Sequence, residues 1–442
     1  MNTISQARAL LTLHGGSVLP RNISYAALQA VVALAATFLA YRLLVKHVGL
    51  EILGLWSLLT AGSIAARLAD VSGAGGLARF VAVEREAGRN PNLHVHTVVL
   101  TSLALNGLVS AVLWLVAGEL IARFIEARNQ AIAGELVPWA VLLIGLLTPL
   151  AAALTSAVDG LQRADIRATI LCASFIVFLG LSAVMIPHYG IRGFLLAQTF
   201  QQIIVIVACW GVLHRYIPAL GLIPYRWSGH VFRQTAAYGV KTQTNALASM
   251  LSDPVAKMLL SQWGGLSAVA VYELASRLVL GVRSLLVQAA QPLIPAFAAG
   301  SSTDLTHLLR KSARMASNAA LLSAMLVAIA SPVYSYLMLG EISGALLGTI
   351  FLLVIGYGIN SLAVPHYLLG IALNQMRWNI ASQFLMAISI AVAGGVFGPH
   401  FGSVAVVGGV VAGLILGAVV VWLGNSAAVR AVHDETEKKE TA

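Results

Sequence analysis

Runs of about 20 apolar residues recur along this chain, separated by short polar breaks. The runs fall at 22–45, 52–72, 95–122, 136–158, 166–187 and 190–214, then at 232–262, 265–298, 314–338, 343–370, 376–397 and 402–424. Each is long enough for one helical crossing of a bilayer. The pattern predicts twelve transmembrane helices. Long loops are absent. The largest polar stretches lie near 215–231 and in the tail 425–442, whose composition predicts disorder.

Composition agrees with the pattern. The chain has 442 residues, of which 59% are hydrophobic and 10% charged; its mean hydropathy is +0.86. A soluble domain carries roughly 25% charged residues. The class is therefore an all-α, polytopic membrane protein. The net charge of +10 does not indicate nucleic acid, because the positive residues lie between apolar runs rather than on one face or tail. Cys172 and Cys209 fall inside apolar runs and read as small buried hydrophobes. No cleavable signal peptide is recognisable, and the first run is long enough to stay in the membrane.

Charge sets the orientation. With the amino terminus in the cytoplasm, 17 Lys and Arg residues fall in cytoplasmic segments and 4 on the opposite side; 6 lie within spans. That bias places both ends inside. Trp56, Trp139, Trp210, Trp263, Trp378 and Trp422 lie near span ends, where indole rings anchor at the interface.

An internal repeat divides the chain. Gly49-Leu50, followed by Gly54-Leu55-Trp56-Ser57-Leu58, matches Gly265-Leu266, followed by Ala270-Val271-Tyr272-Glu273-Leu274. The offset is 216 residues and sets Arg67 on Arg283. Gly160 and Arg167 are echoed by Gly370 and Arg377. These echoes predict two six-helix lobes, 1–222 and 223–424, with a polar cytoplasmic tail at 425–442. The substrate path is expected between the lobes.

Polar residues inside the spans mark the walls of such a path. Span 2 carries Thr60, Ser63, Arg67 and Asp70, then a cluster at Gly73, Gly75 and Gly76. Span 1 carries Arg21, Tyr25 and Gln29, then Tyr41 and Arg42. Span 7 shows Gln234, Tyr238, Thr242, Asn245, Ser249, Asp253 and Lys257 at near-helical spacing, and span 8 shows Glu273, Arg277, Ser284 and Gln288. A charge at mid-bilayer costs roughly 2.5–3.5 kcal/mol, so Arg67, Asp253, Lys257 and Arg277 facing lipid would cost about 10–14 kcal/mol together. They must face each other or water. The i,i+4 pairs Asp253/Lys257 and Glu273/Arg277, and the i,i+3 pair Arg67/Asp70, also have the spacing of static bridges.

Cations outnumber anions in these spans and at their cytoplasmic rim. Arg21, Arg42, Arg67, Arg79, Lys241, Lys257, Arg277 and Arg283 stand against Asp70, Asp253 and Glu273. The surplus predicts an anionic, phosphate-bearing cargo, since a guanidinium fork suits phosphate. The expected cargo-binding set is Arg67, Lys257, Arg277, Arg283, Arg21 and Arg79, the last two at the cytoplasmic rim, where a topological role is equally open. Asp70, Asp253 and Glu273 are candidates for H⁺ or Na⁺ coupling or for counter-ions. Gln29, Asn245 and Ser249 are candidate polar wall residues. Pro149 and Pro365 interrupt corresponding spans, and Pro292 and Pro295 close span 8; all four are candidate hinges. No phosphate-binding loop, zinc spacing or nucleophile elbow is present, so neither ATP hydrolysis nor a metal or organic cofactor is expected.

The segment GLxxxGLWSLL after the first span, the end of span 2 (LADVSGAGGLARFVA), DGLQRADIRA at 159–168 and VYELASRLV at 271–279 resemble polysaccharide-biosynthesis transporters of the MOP (MATE-like) superfamily, which include O-antigen and exopolysaccharide flippases of the Wzx type. The resemblance spans essentially the whole chain. It implies two six-helix lobes, alternating access and a bacterial inner-membrane location. The implied cargo is a polyprenyl-pyrophosphate-linked oligosaccharide, moved from the cytoplasmic to the periplasmic leaflet. The implied partners are that glycan, membrane lipids, a glycan polymerase and a chain-length regulator, with no nucleic acid. A multidrug exporter of the same fold and a peptidoglycan-precursor flippase are the neighbouring readings. A polytopic glycan polymerase or ligase is the rival from another class, but the external segments are too short for its active-site loop.

Overall fold

A computed structural model describes residues 18–68, 74–237, 239, 251–290, 293, 297, 302–373 and 376–440. Among these residues all regular structure is helical. The chain divides into two compact units, Met1–Ala246 and Leu247–Ala442. The first contains α1 (Val18–Val48), α2 (Leu50–Leu68), α3 (Leu77–Glu86), α4 (Asn92–Phe124), α5 (Ala127–Ala140), α6 (Thr148–Gly160) and α7 (Ala164–Tyr216). The second contains α8 (Ser252–Ala290), α9 (Ser302–Leu339), α10 (Gly344–Leu362), α11 (Val364–Ala372), α12 (Arg377–Val392) and α13 (Ser403–Glu440).

Nine stretches of helix among the described residues are long and apolar enough to cross a membrane. The chain is a multi-pass membrane protein. Two of the nine are double. Helix α7 has 53 residues and would be about 80 Å long if straight. It breaks at Gly190 (φ 57°, ψ −133°), and α8 breaks at Gly265 (φ 69°, ψ −177°). Only glycine visits such backbone angles without strain.

These breaks give the repeat a physical basis. Gly49 (φ 96°) and Gly265, 216 residues apart, both precede the helix that carries the shared motif. A further echo appears at an offset of 212. Pro187-His188-Tyr189-Gly190 corresponds to Pro399-His400-Phe401-Gly402, and Gly402 adopts φ 60°, ψ −141°, close to Gly190. Gly160 and Gly370 are also alike in kind. A Cβ at Gly160 would lie 2.6 Å from the Ala78 carbonyl oxygen, and one at Gly370 would lie 2.7 Å from Asn425 Nδ2.

Prolines reshape the helices locally. Two π-helical segments, Val141–Leu147 and Ala393–Phe397, end just before Pro149 and Pro399. Proline supplies no N–H and crowds the carbonyl four residues earlier, and the wider turn accommodates both defects. Pro365 starts α11 after a break from α10. Pro292 and Pro295 lie outside the described residues.

The core of the first unit forms where α3, α4, α6 and α7 meet, with Leu77, Val81, Val98, Leu154, Val158 and Cys209 inaccessible or nearly so. Large apolar side chains such as Leu115, Leu322 and Ile329 point outward, as expected of a lipid-facing surface. Two expectations need correction. Trp56 is buried (2% exposed) and is a core residue rather than an interfacial anchor; it stands nearly two turns into α2, on a side of the helix that faces the protein. The tail is not disordered from residue 425. Helix α13 continues to Glu440, because no glycine or proline interrupts the polar sequence after Gly424.

Candidate functional site

Helix α8 carries five charged residues, and four of them, Asp253, Lys257, Glu273 and Arg277, lie on either side of its break. Lys257 lies eight residues before the break at Gly265, and Glu273 eight residues after it. In a continuous helix they would be about 24 Å apart. Lys257 Nζ instead lies 2.8 Å from Glu273 Oε2. The break therefore folds α8 back on itself, and equal distance from the hinge brings the two side chains level. Lys257 Nζ also lies 2.7 Å from Asp253 Oδ2, and Arg277 Nε donates to Glu273 Oε1.

The four charges form one chain, Asp253–Lys257–Glu273–Arg277, whose sum is zero. Its centre is dry: the Lys257 and Glu273 side chains are each 7% exposed, against 38% for Asp253 and 43% for Arg277. Both i,i+4 pairs read from the sequence form, and the cross-hinge pair links them. Each carboxylate here already holds a cation, and each cation a carboxylate.

Arg283, two turns further along α8, stands in a different setting. Its Nη2 donates to Asn360 Oδ1 at 2.9 Å, and its guanidinium lies 5.4 Å from the ring centre of Tyr357. Asn360 is fixed in turn, since its Nδ2 donates to the Leu414 carbonyl on α13 at 3.1 Å. Arg283 Nε is buried with no hydrogen-bond acceptor. Among the described residues no carboxylate pairs with Arg283. Beside it lies a cavity of ≈ 20 Å³, lined by Arg283, Ser323, Tyr357 and Ser361 among apolar neighbours from α9 and α10. Such a volume holds about one water.

The other expected site residues are placed unevenly. Arg67 sits on α2 and Arg21 on α1, but their side chains lie outside the described set, as do Asp70, Lys241, Asn245 and Ser249 entirely. Arg79 is exposed on α3. Gln29 is half-buried on α1, and its Oε1 has no hydrogen-bond partner. Asn360 and Tyr357 escaped the sequence reading. Their signal was present: both are polar side chains within the apolar run of α10.

A family model described as polysaccharide biosynthesis protein matches residues 56–342. The chain belongs to this polysaccharide biosynthesis protein family. No curated protein matches the chain. Its fold is that of MOP-superfamily transporters. The inward-facing structure of a multidrug resistance MATE family transporter of that superfamily is 16% identical, with a TM-score of 0.76 over 92% of this chain and 99% of that one. The outward-facing structure of such a transporter gives 0.66 at 15% identity, covering 93% and 96%. A MOP-superfamily transporter from Pyrococcus furiosus, whose binding pocket is described as of reverse polarity, gives 0.63 at 14% identity, covering 93% and 96%. At these identities the likeness establishes the fold of this family member.

Proposed function

We propose that this polysaccharide biosynthesis protein is a flippase rather than an enzyme. Its cargo is a polyprenyl-pyrophosphate-linked oligosaccharide, moved by alternating access from the cytoplasmic to the outer leaflet of a bacterial inner membrane. Membership of the family and the transporter fold support the general role. The observation that carries the cargo class is Arg283, a guanidinium held by an amide and a tyrosine face with no carboxylate among the described residues. A buried cation is costly alone, and an anion that visits it offsets that cost. Pyrophosphate supplies the charge and the acceptor atoms a guanidinium fork requires.

The α8 cluster bears on the drug-exporter alternative. A cationic drug needs a carboxylate to receive it. Asp253 and Glu273 are both engaged by Lys257, which favours the anionic cargo. In this reading Arg67, the repeat mate of Arg283, has the matching role in the first half. Lys257 and Arg277 then serve chiefly to hold the α8 hairpin together.

The test is accumulation of lipid-linked glycan on the cytoplasmic face of cells lacking the gene, complemented with Arg283→Gln or Arg283→Lys. Gln is expected to leave the glycan trapped and Lys to restore part of the flow, with both proteins at normal membrane levels. Full complementation by Arg283→Gln would overturn the assignment of Arg283.

A further inference from the structure

Residues 217–228, which lead from α7 towards the helix at 229–237, have no regular structure, yet their backbone is fixed. Four successive carbonyls accept hydrogen bonds from side chains. Asn90 donates to Pro218 at 2.6 Å, Asn92 to Ala219 at 3.5 Å, His96 Nε2 to Leu220 at 2.6 Å and His214 Nδ1 to Gly221 at 3.1 Å. At the far end Trp227 Nε1 donates to Thr101 Oγ1 at 3.1 Å, and the Ser228 amide donates to Thr97 Oγ1 at 3.3 Å. The His96 ring stacks on Trp210 and meets Tyr225 at 5.3 Å. The segment is a strap pinned along α4.

Pinning the polar backbone inward turns apolar side chains outward. Leu222 is 81% exposed, Ile223 70%, Tyr225 62% and Trp227 56%. A fixed strap cannot collapse to hide them. Between these side chains stands Arg226, exposed and 5.1 Å from the Tyr225 ring centre, with exposed Arg215 and Arg233 on either flank. No Asp or Glu occurs from residue 166 to residue 252, so this positive charge is unopposed in the sequence.

Depth identifies what covers the strap. From Gly190 to Tyr216, α7 runs 26 residues, or about 39 Å, against a hydrocarbon core of about 30 Å and about 40–45 Å with headgroups. The strap therefore leaves the bilayer at headgroup level. Trp, Tyr and Arg beside exposed Leu and Ile form the side-chain set suited to that layer. We propose that residues 222–227 are an interfacial anchor that inserts Leu222, Ile223, Tyr225 and Trp227 among lipid headgroups, and that Arg215, Arg226 and Arg233 give it a preference for anionic lipid. The anionic cytoplasmic leaflet attracts such arginines, on the side that the charge count assigns to the cytoplasm.

The experiment uses the full chain in lipid vesicles. The emission of Trp227 is isolated as the difference between the native protein and Trp227→Phe. Phosphatidylcholine brominated near the glycerol backbone is expected to quench it, and aqueous iodide to leave it nearly unchanged. Quenching by iodide alone would overturn the anchor, and is what a site reserved for a protein partner would give. At equal mole fraction, brominated phosphatidylglycerol is expected to quench at least two-fold more strongly than the phosphatidylcholine, and Arg226→Gln/Arg233→Gln to remove that excess. Equal quenching by both lipids in the native protein would overturn the anionic preference. A nitroxide at Leu222→Cys in a Cys172→Ala/Cys209→Ala background gives an independent reading. Greater collision with oxygen than with a nickel chelate supports insertion, and the reverse overturns it.

Discussion

Arg283 Nη2 donates to Asn360 Oδ1 at 2.9 Å, an arginine on α8 answered by a neutral amide on α10. An aspartate in place of that amide would neutralise the arginine where it stands. Asn360→Asp is therefore expected to leave the protein folded, the new ion pair offsetting the lost bond to the Leu414 carbonyl. Glycan flipping should fall at least ten-fold, because the cargo then competes with an internal carboxylate. Transport at the native rate in a stably inserted Asn360→Asp protein would remove the requirement for a free positive charge at this site.

The cluster on α8 makes the opposite prediction. Its charges are already balanced, so disturbing them should act first on stability. Lys257→Met leaves Asp253 and Glu273 without their shared cation, and removing one partner of a buried pair costs about 3–5 kcal/mol. Lys257→Met/Glu273→Gln should lose less than the sum of the two single changes, by about 1 kcal/mol or more. Thermal unfolding in detergent across the cycle measures this. Strict additivity would mean that the cross-hinge pair contributes nothing.

The two elbows should tolerate substitution poorly. Alanine at Gly190 or Gly402 must adopt backbone angles that a Cβ disfavours, at a cost of about 1–3 kcal/mol each. Gly180 and Gly348 lie inside helices with open space around them, and alanine there should leave stability unchanged or raise it by up to about 1 kcal/mol. Melting temperatures of the four variants separate positions that need glycine from positions that merely contain it.

Outside the spans, Glu84 and Arg89 form a two-point ion pair, with Nε to Oε2 at 2.7 Å and Nη2 to Oε1 at 2.9 Å. The hydrogen bonds from Arg89 hold the Glu84 carboxyl below its ordinary value of 4.5. With the folded value lowered, the pair stabilises the fold above that ordinary value, and the contribution is lost as pH falls through the folded one. Glu84→Gln should thus lower stability at neutral pH and flatten its dependence on pH below about 4.5, so that the variant and the native protein converge in acid. An unchanged acid limb in Glu84→Gln would show the pair to be immaterial to folding.

Much of this architecture was legible as spacing. The match of Gly49 with Gly265 was visible as letters, and the backbone shows why it exists: both are positive-φ positions ahead of a helix. The pairs Asp253/Lys257 and Glu273/Arg277 were legible because i,i+4 neighbours meet on any helix. Lys257 and Glu273 were not, because sixteen residues bring two side chains together only if the helix reverses midway, and sequence periodicity does not report a reversal. The surplus of positive charge was legible but its location was not: Lys257 and Arg277 are matched by Asp253 and Glu273 within the cluster, so the excess falls on the other cations. Asn360 was missed because one amide in an apolar span produces no period. The π-helical segments leave no repeat to detect; only the prolines that follow them hint at their place.

The reversal at Gly265 also bears on how the chain enters the membrane. Inserted one at a time, each half of α8 would bring its own charged residues into lipid, at roughly 2.5–3.5 kcal/mol for each residue near the centre. Folded as a hairpin, the two halves present a zero-sum cluster whose innermost atoms already hold each other. Release of residues 252–290 from the translocation machinery is therefore cheapest when both halves have emerged, so that this pair enters the bilayer as one object.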